Sequence, residues 1–249
     1  MHATIVVPTR DRADLVATSH ATIARAGWPS IDAIFVDNGT RDPAARDALA
    51  ASPHTVIRAD IPFNFSRLVN RGARLASGEF VVVLNNDVEA TRDGWLRKML
   101  GSFHDPDVGI AGALLEYPSG RIQHCGIAVR DGAPSHLHVG ERWHDLTLAQ
   151  RDSLREPLAV TGACMAVRTD LWNSLGGMST PLATNYNDVD LCLRARWSGA
   201  KIVLASTRGL IHHESESRGT ESGPEVAADW LLFRSRWAGI VGIEAPAVL

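Results

Sequence analysis

The residues of this chain whose types could do chemistry fall into short polar clusters, each directly behind an apolar run. Asn85-Asn86-Asp87 follows Phe80-Val81-Val82-Val83-Leu84, the most hydrophobic strand-like run of the sequence. A carboxylate at the end of a buried strand is well placed to hold a hard divalent cation, which takes oxygen ligands and bridges diphosphates. One Asp does not fill such a site, so phosphates and water must supply most ligands. Tyr186-Asn187-Asp188-Val189-Asp190 opens a helix-compatible stretch. Asn187 or Asp188 suits a helix cap, and Asp188 also suits a general base that accepts a proton from a hydroxyl. Asp190 lies two residues on, faces elsewhere on a helix and reads as structural, paired with an Arg. In Ile211-His212-His213-Glu214-Ser215, adjacent residues of an extended chain point to opposite sides, so only one His should face a common crevice. Pro8-Thr9-Arg10 and Asp37-Asn38-Gly39 end two further apolar runs. Each cluster alone is also what an ordinary polar turn looks like.

The elements that must position these clusters alternate between strand and helix. Ile5-Val6-Val7 reads as a strand, residues 12–26 as a helix stopped by Gly27, and residues 31–36 as a second strand. A helix over 42–51, a strand over 54–58, a helix capped by Ser66 and running to Ala76, and a central strand over 80–84 follow. This order predicts an open, mostly parallel, doubly wound α/β sheet. Ligands bind beyond the carboxyl ends of such strands, where the Thr9, Asp37 and Asp87 clusters all fall. Past residue 105 the pattern changes. Strand-like runs over 108–115 and 122–129 flank the turn Tyr117-Pro118-Ser119-Gly120. Residues 130–150, rich in Gly, His and Asp, read as a loop near a site. A strand over 157–167, a helix over 188–197, a strand over 202–204, a polar and mobile stretch over 214–224 and a helix over 227–237 complete the chain.

Composition narrows the function classes. The 249 residues are 45% apolar and 21% charged with a net charge of -3, which argues against a nucleic-acid binder with its basic stripe. Cys125, Cys164 and Cys192 are three in number and widely spaced, so a disulfide framework or zinc cage is not expected and a reduced compartment fits. The N-terminus has no basic region or long apolar core, so no signal peptide is read there. No apolar stretch reaches the roughly 18 residues of a spanning helix. The loop after the first strand has two Arg but no Gly-rich phosphate cradle, which counts against a nucleotidyltransferase and against a dinucleotide-binding dehydrogenase.

Taken in order, the clusters resemble the family 2 glycosyltransferases with the nucleotide-diphospho-sugar transferase fold, in the bacterial branch that builds O-antigen and related surface polysaccharides. Pro62-Phe63-Asn64-Phe65-Ser66, Asn70-Arg71-Gly72-Ala73, Leu84-Asn85-Asn86-Asp87-Val88-Glu89, Gly120-Arg121-Ile122-Gln123-His124, Thr161-Gly162-Ala163-Cys164, Asn187-Asp188-Val189-Asp190-Leu191-Cys192 and His212-His213-Glu214-Ser215 carry the likeness. The resemblance implies a GT-A-like sheet with a short antiparallel sheet on the acceptor side. It implies one domain over 1–249, with a nucleotide-binding half (1–104), an acceptor-binding half (105–225) and a C-terminal helix and tail (226–249).

The resemblance also implies roles. Pro8, Thr9 and Arg10 line the nucleotide pocket, and Asp37 and Asn64 lie near the base or ribose. Asn85-Asn86-Asp87 takes the place of the family's Asp-x-Asp motif, with Asn85 able to bond a ribose and Asp87 kept as metal ligand. His212 completes the metal site, with His213 as second choice. Asp188 is the catalytic base, although the Glu before it in the family is Asn187 here. Gly162-Ala163-Cys164 floors the acceptor site. The implied reaction is an inverting, in-line transfer from a nucleotide-diphospho-sugar to a hydroxyl of a glycan or lipid-linked glycan, with Mg2+ or Mn2+, in the cytoplasm, with peripheral membrane association left open. The alternative is a catalytically decayed nucleotide-sugar or carbohydrate-binding module, which Asn85 and Asn187 keep in play.

Overall fold

Runs of β-branched residues without polar alternation build a central sheet that is covered on both faces. The computed structural model describes residues 1–213, 224–240 and 242. In chain order, β1 (Ala3–Thr9), α1 (Ala13–Ala24), β2 (Ile31–Asp37), α2 (Pro43–Ala50), β3 (Thr55–Arg58), α3 (Phe65–Ala73) and β4 (Phe80–Leu84) alternate strictly. There follow β5 (Val88–Ala90), α4 (Trp95–Gly101), β6 (Val108–Ala113), β7 (Leu115–Glu116), β8 (Ile122–His124), β9 (Ile127–Arg130) and β10 (Ala133–His136). The chain continues through α5 (Leu148–Ser153), β11 (Cys164–Arg168), α6 (Thr169–Ser174), α7 (Asn187–Trp197), β12 (Lys201–Ala205), β13 (Leu210–His212) and α8 (Pro224–Trp237).

Seven strands form the main sheet in the order β12-β6-β11-β4-β1-β2-β3. All run parallel except β11, which is antiparallel to both β4 and β6. The expected mostly parallel α/β sheet is therefore present, and β4 lies at its centre with all five residues buried. A second sheet, β5-β13-β7-β8, pairs antiparallel except between β13 and β7, and β9-β10 form a separate antiparallel hairpin.

Local departures from the expected elements have identifiable causes. Ser66 does not cap α3. The helix starts at Phe65 because the Asn64 side chain accepts the amide of Arg67 at 2.8 Å, while Ser66 Oγ donates to Leu182 O at 2.6 Å. Neither Asn187 nor Asp188 caps α7; Tyr186, at φ 60°, occupies the cap position without a side-chain bond. The strand expected over 157–167 is confined to β11, since the amides of Thr161 and Gly162 go to side chains. The run over 122–129 breaks at Gly126 (φ 110°), where a Cβ would stand 2.7 Å from Pro157. The 130–150 loop contains β10 and the start of α5. The stretch expected to be mobile, apart from Pro224, lies outside the described residues.

Candidate active site

Strand pairing brings Asp87 and His212 together. Asp87 immediately precedes β5, whose first residue pairs with His212 at the end of antiparallel β13. The amide of His213 then donates to Asp87 O at 3.0 Å, extending the pairing by one step. His212 Nε2 lies 3.2 Å from Asp87 Oδ1, with both side chains at least nine-tenths buried. His213 turns the other way, as alternation requires, and pairs with Glu89 at 2.8 Å.

Asp188 arrives from the other side. Tyr186 in the left-handed region turns the chain into α7, and Asp188 in the first turn reaches the loop before β11. There Gly162 N–H donates to Asp188 Oδ2 at 2.8 Å, and Ala163 O accepts the amide of Asn85 at 2.8 Å. Asp190 points away and is wholly buried; its carboxylate holds Arg194 at 2.8 Å, Arg236 at 3.1 Å and the Trp237 indole at 3.2 Å.

A cavity of about 490 Å³ joins these groups. Asn85, Asp87, Asp188 and His212 line it, together with Phe65, Gly162, Ala163 and Asn187. Tyr117, Gln123, His136, Thr161, Asn185 and Tyr186 complete much of the wall. Gly162 and Ala163 thus floor it, whereas Cys164 belongs to the core.

The other expected residues sit outside that lining. Thr9, at the end of β1, accepts a bond from Asn86 Nδ2 at 3.1 Å, so the ends of β1 and β4 are tied together. Pro8 is buried, and Arg10 is exposed beside Asp11 at 3.6 Å. Asp37 ends β2; its carboxylate accepts the Thr40 amide at 2.7 Å and Arg58 at 2.9 Å. The amide of Asn64 donates to Thr180 O at 2.8 Å.

Asp87 and His212 are a donor set suited to a divalent cation. His212 Nδ1 and Asn85 Oδ1 are buried with no hydrogen-bond partner among the described residues, as expected of a polar pocket shaped for a ligand. Among the described residues no group of three or more His, Cys, Asp or Glu could hold a metal ion, so a cation here needs ligands from phosphates or water. The three thiols are free and buried, and loss of hydration pushes Cys125 and Cys192 up to about 12, which removes them as nucleophiles.

Asp229 is a site-building residue without a sequence signal. Buried on α8, its carboxylate accepts the amides of Ala183, Thr184 and Asn185 at 3.0, 2.8 and 2.8 Å. Tyr186 stacks on Phe233 of the same helix, 5.0 Å between centroids. The segment leading into Asp188 is thereby clamped by a helix some 40 residues further along the chain.

A mixed sheet of this order, with a carboxylate-lined cavity at its carboxyl edge, is a glycosyltransferase architecture of the GT-A type, shared with the solved structure of GalNAc-T7 bound to UDP, GalNAc and Mn2+. That likeness has a TM-score of 0.72 at 14% identity and covers 95% of this chain and 48% of the other. Residues 4–171 match the family model for glycosyl transferase family 2, and the chain belongs to that family. It is 33% identical over 247 residues to the O-antigen biosynthesis protein RfbC of Myxococcus xanthus, covering 96% of this chain and 19% of that protein. It is 24% identical over 236 residues to the N-acetylglucosaminyl-diphospho-decaprenol L-rhamnosyltransferase of Mycobacterium tuberculosis, covering 84% of this chain and 75% of that enzyme. The chain spans about a quarter or less of the length of the curated relatives it matches above 30% identity.

Proposed function

We propose that this chain transfers a sugar, with inversion, from a nucleotide-diphospho-sugar to a hydroxyl of a glycan or lipid-linked glycan acceptor in surface polysaccharide biosynthesis. The observation that carries this reading is the convergence of Asp87, His212 and Asp188 on one cavity. Asp188 takes the proton of the acceptor hydroxyl as that oxygen attacks the anomeric carbon, and the nucleoside diphosphate leaves. Gly162 N–H fixes the orientation of the carboxylate. Asp87 and His212 would hold Mg2+ or Mn2+, which offsets charge growing on the leaving phosphate oxygens. Asn85 offers a neutral side chain to the ribose, while Pro8, Thr9, Arg10, Asp37, Asn64 and Asn86 frame the nucleotide side. The similarity to RfbC and to the rhamnosyltransferase supports a polysaccharide substrate, and the decaprenol-linked sugar named as the latter's acceptor supports a lipid-linked one. The reading places the reaction in the cytoplasm with peripheral membrane association; among the described residues no helix is long and apolar enough to cross a membrane.

A thermal-shift panel of nucleoside diphosphates and nucleotide sugars, with and without Mn2+, tests this reading. One nucleotide should stabilise the chain in a Mn2+-dependent way, and Asp87→Ala should weaken that binding by at least about 10- to 100-fold. A panel in which no nucleotide shifts the melt would sink the reading. Donor hydrolysis in the presence of Mn2+ separates an enzyme from a decayed binding module, which gives none.

A further inference from the structure

Gln123 lies in the middle of β8, is 6% exposed and lines the cavity. Its Oε1 is buried without a hydrogen-bond partner among the described residues. A buried amide oxygen left unpaired is costly, so folding alone would favour an apolar residue there. The strand geometry singles out the same side chain. Leu115 pairs with His124 and Glu116 with Ile122, so the register shifts and Gln123 is the extra residue of a bulge, with no residue paired opposite it on β7. A bulge breaks the alternation of a strand and re-aims a side chain, and bulges are frequent beside active sites.

The placement fits a sugar. His124, the next residue, is wholly buried, and its Nε2 takes the amide N–H of Thr161 at 3.3 Å. The following amide, that of Gly162, holds Asp188 at 2.8 Å, so Gln123 is tied through one short loop to the proposed base. In the second sheet β8 stands two strands from β13, which carries His212, a separation of roughly 10 Å at the usual strand spacing. Gln123 therefore stands apart from the proposed cation ligands. Among the described residues no Lys or Arg lines the cavity, while Phe65, Ile127 and Pro134 add apolar wall. An anionic group against Gln123 would need a cation in that part of the wall. A sugar instead offers apolar C–H faces and neutral hydroxyls. A hydroxyl both gives and takes a hydrogen bond, and a Gln amide can meet it either way, because rotation about its last side-chain bond exchanges Oε1 with Nε2.

We propose that Gln123 is a specificity-determining residue that hydrogen-bonds a hydroxyl of a sugar seated beside Asp188. This assignment rests on the transfer reading above and adds the group that reads the sugar. That sugar is either the one carried by the donor or the terminal one of the acceptor, since both present hydroxyls.

The test compares the full wild-type chain with Gln123→Met, which keeps the length of the side chain and removes its polar end, and with Gln123→Leu. Urea unfolding without ligand comes first. A residue kept for a ligand adds nothing to folding, so neither variant should lower the midpoint, and relief of the unpaired oxygen should raise it. A lower midpoint in both variants would make Gln123 a structural residue and overturn the proposal. Sugar binding is then read in two arms. In the donor arm, calorimetry with Mn2+ compares UDP with UDP-glucose, UDP-galactose and UDP-N-acetylglucosamine, dTDP with dTDP-rhamnose, and GDP with GDP-mannose. The ratio within each set isolates the share of the sugar. In the acceptor arm, methyl glycosides of the same sugars are screened by saturation-transfer NMR. In at least one arm the wild type should bind a sugar and Gln123→Met should weaken it about tenfold, the scale of one hydrogen bond, with affinity for the free nucleoside diphosphate unchanged. The arm that responds tells donor sugar from acceptor sugar. Equal sugar binding by the variants, or no sugar bound by the wild type in either arm, overturns the proposal. If no nucleoside diphosphate binds, the transfer reading fails in the donor arm, and the glycosides still decide the role of Gln123.

Discussion

The carboxylate of Asp188 and the amide of Gly162, 26 residues apart, are joined by a hydrogen bond of 2.8 Å. The side chain that opens α7 is therefore aimed by the loop that precedes the antiparallel strand β11. One oxygen of Asp188 bonds the Gly162 amide and the other the Val189 amide at 2.8 Å, so the group is oriented from two sides before any ligand arrives.

Asp188→Asn should preserve most of this geometry, because an amide oxygen can still accept the Gly162 proton. It removes the proton acceptor, so turnover should fall by about 10²–10⁴-fold, the usual contribution of general-base help. Initial-rate assays beside calorimetric titration of the nucleoside diphosphate check this. Full turnover in the variant would exclude Asp188 from the role.

Asp229→Ala should damage the site from a distance. It strands the amides of Ala183, Thr184 and Asn185, all bonded to that carboxylate. Each buried donor left without a partner costs on the order of 1–3 kcal/mol. Urea unfolding should show a loss of at least that size, and hydrogen exchange should quicken at residues 183–185. Unchanged exchange there would contradict the clamp.

Gly72→Ala should loosen the helix that carries Asn64 and Phe65 to the site. A Cβ at Gly72 would stand 2.4 Å from Val6 Cγ1 and 2.9 Å from Val36 Cγ2, so α3 would have to lift off β1 and β2. Overpacking of this kind costs about 1–3 kcal/mol. A variant with the wild-type urea midpoint would show that the helix–sheet spacing yields freely.

Stability should fall with acid through His124. Its folded pKa is depressed, so the unfolded chain binds the proton more readily and unfolding takes one up. Stability is thus full above the unfolded value of about 6.5 and declines below it, by about 1.4 kcal/mol per pH unit for one proton. His20 and His54, lowered by burial, act in the same direction. Urea unfolding at pH 5, 6, 7 and 8 should give a shallower slope for His124→Asn than for the wild type. Carboxylate titration is common to both chains, so identical slopes would show that His124 is not the group taking up the proton.

The sequence by itself determined the central strands of the main sheet, because uninterrupted apolar runs such as Phe80–Leu84 have no other way to bury every side chain. It also determined that Asp87 lies just past the end of a central strand, that only one of His212 and His213 turns inward, and that Asp190 serves an Arg. Those inferences needed only local periodicity. The tertiary structure alone decided that Asn64 rather than Ser66 caps α3, that β11 runs against its neighbours, that Asp229 clamps the approach to Asp188, and that His124 and His136 meet. Each of these depends on a partner brought close by folding: Leu182 for Ser66, the amides of 183–185 for Asp229, the Thr161 amide for His124. A hydrogen bond acts over about 3 Å of space whatever the distance along the chain, so periodicity places an element and only packing chooses its partners.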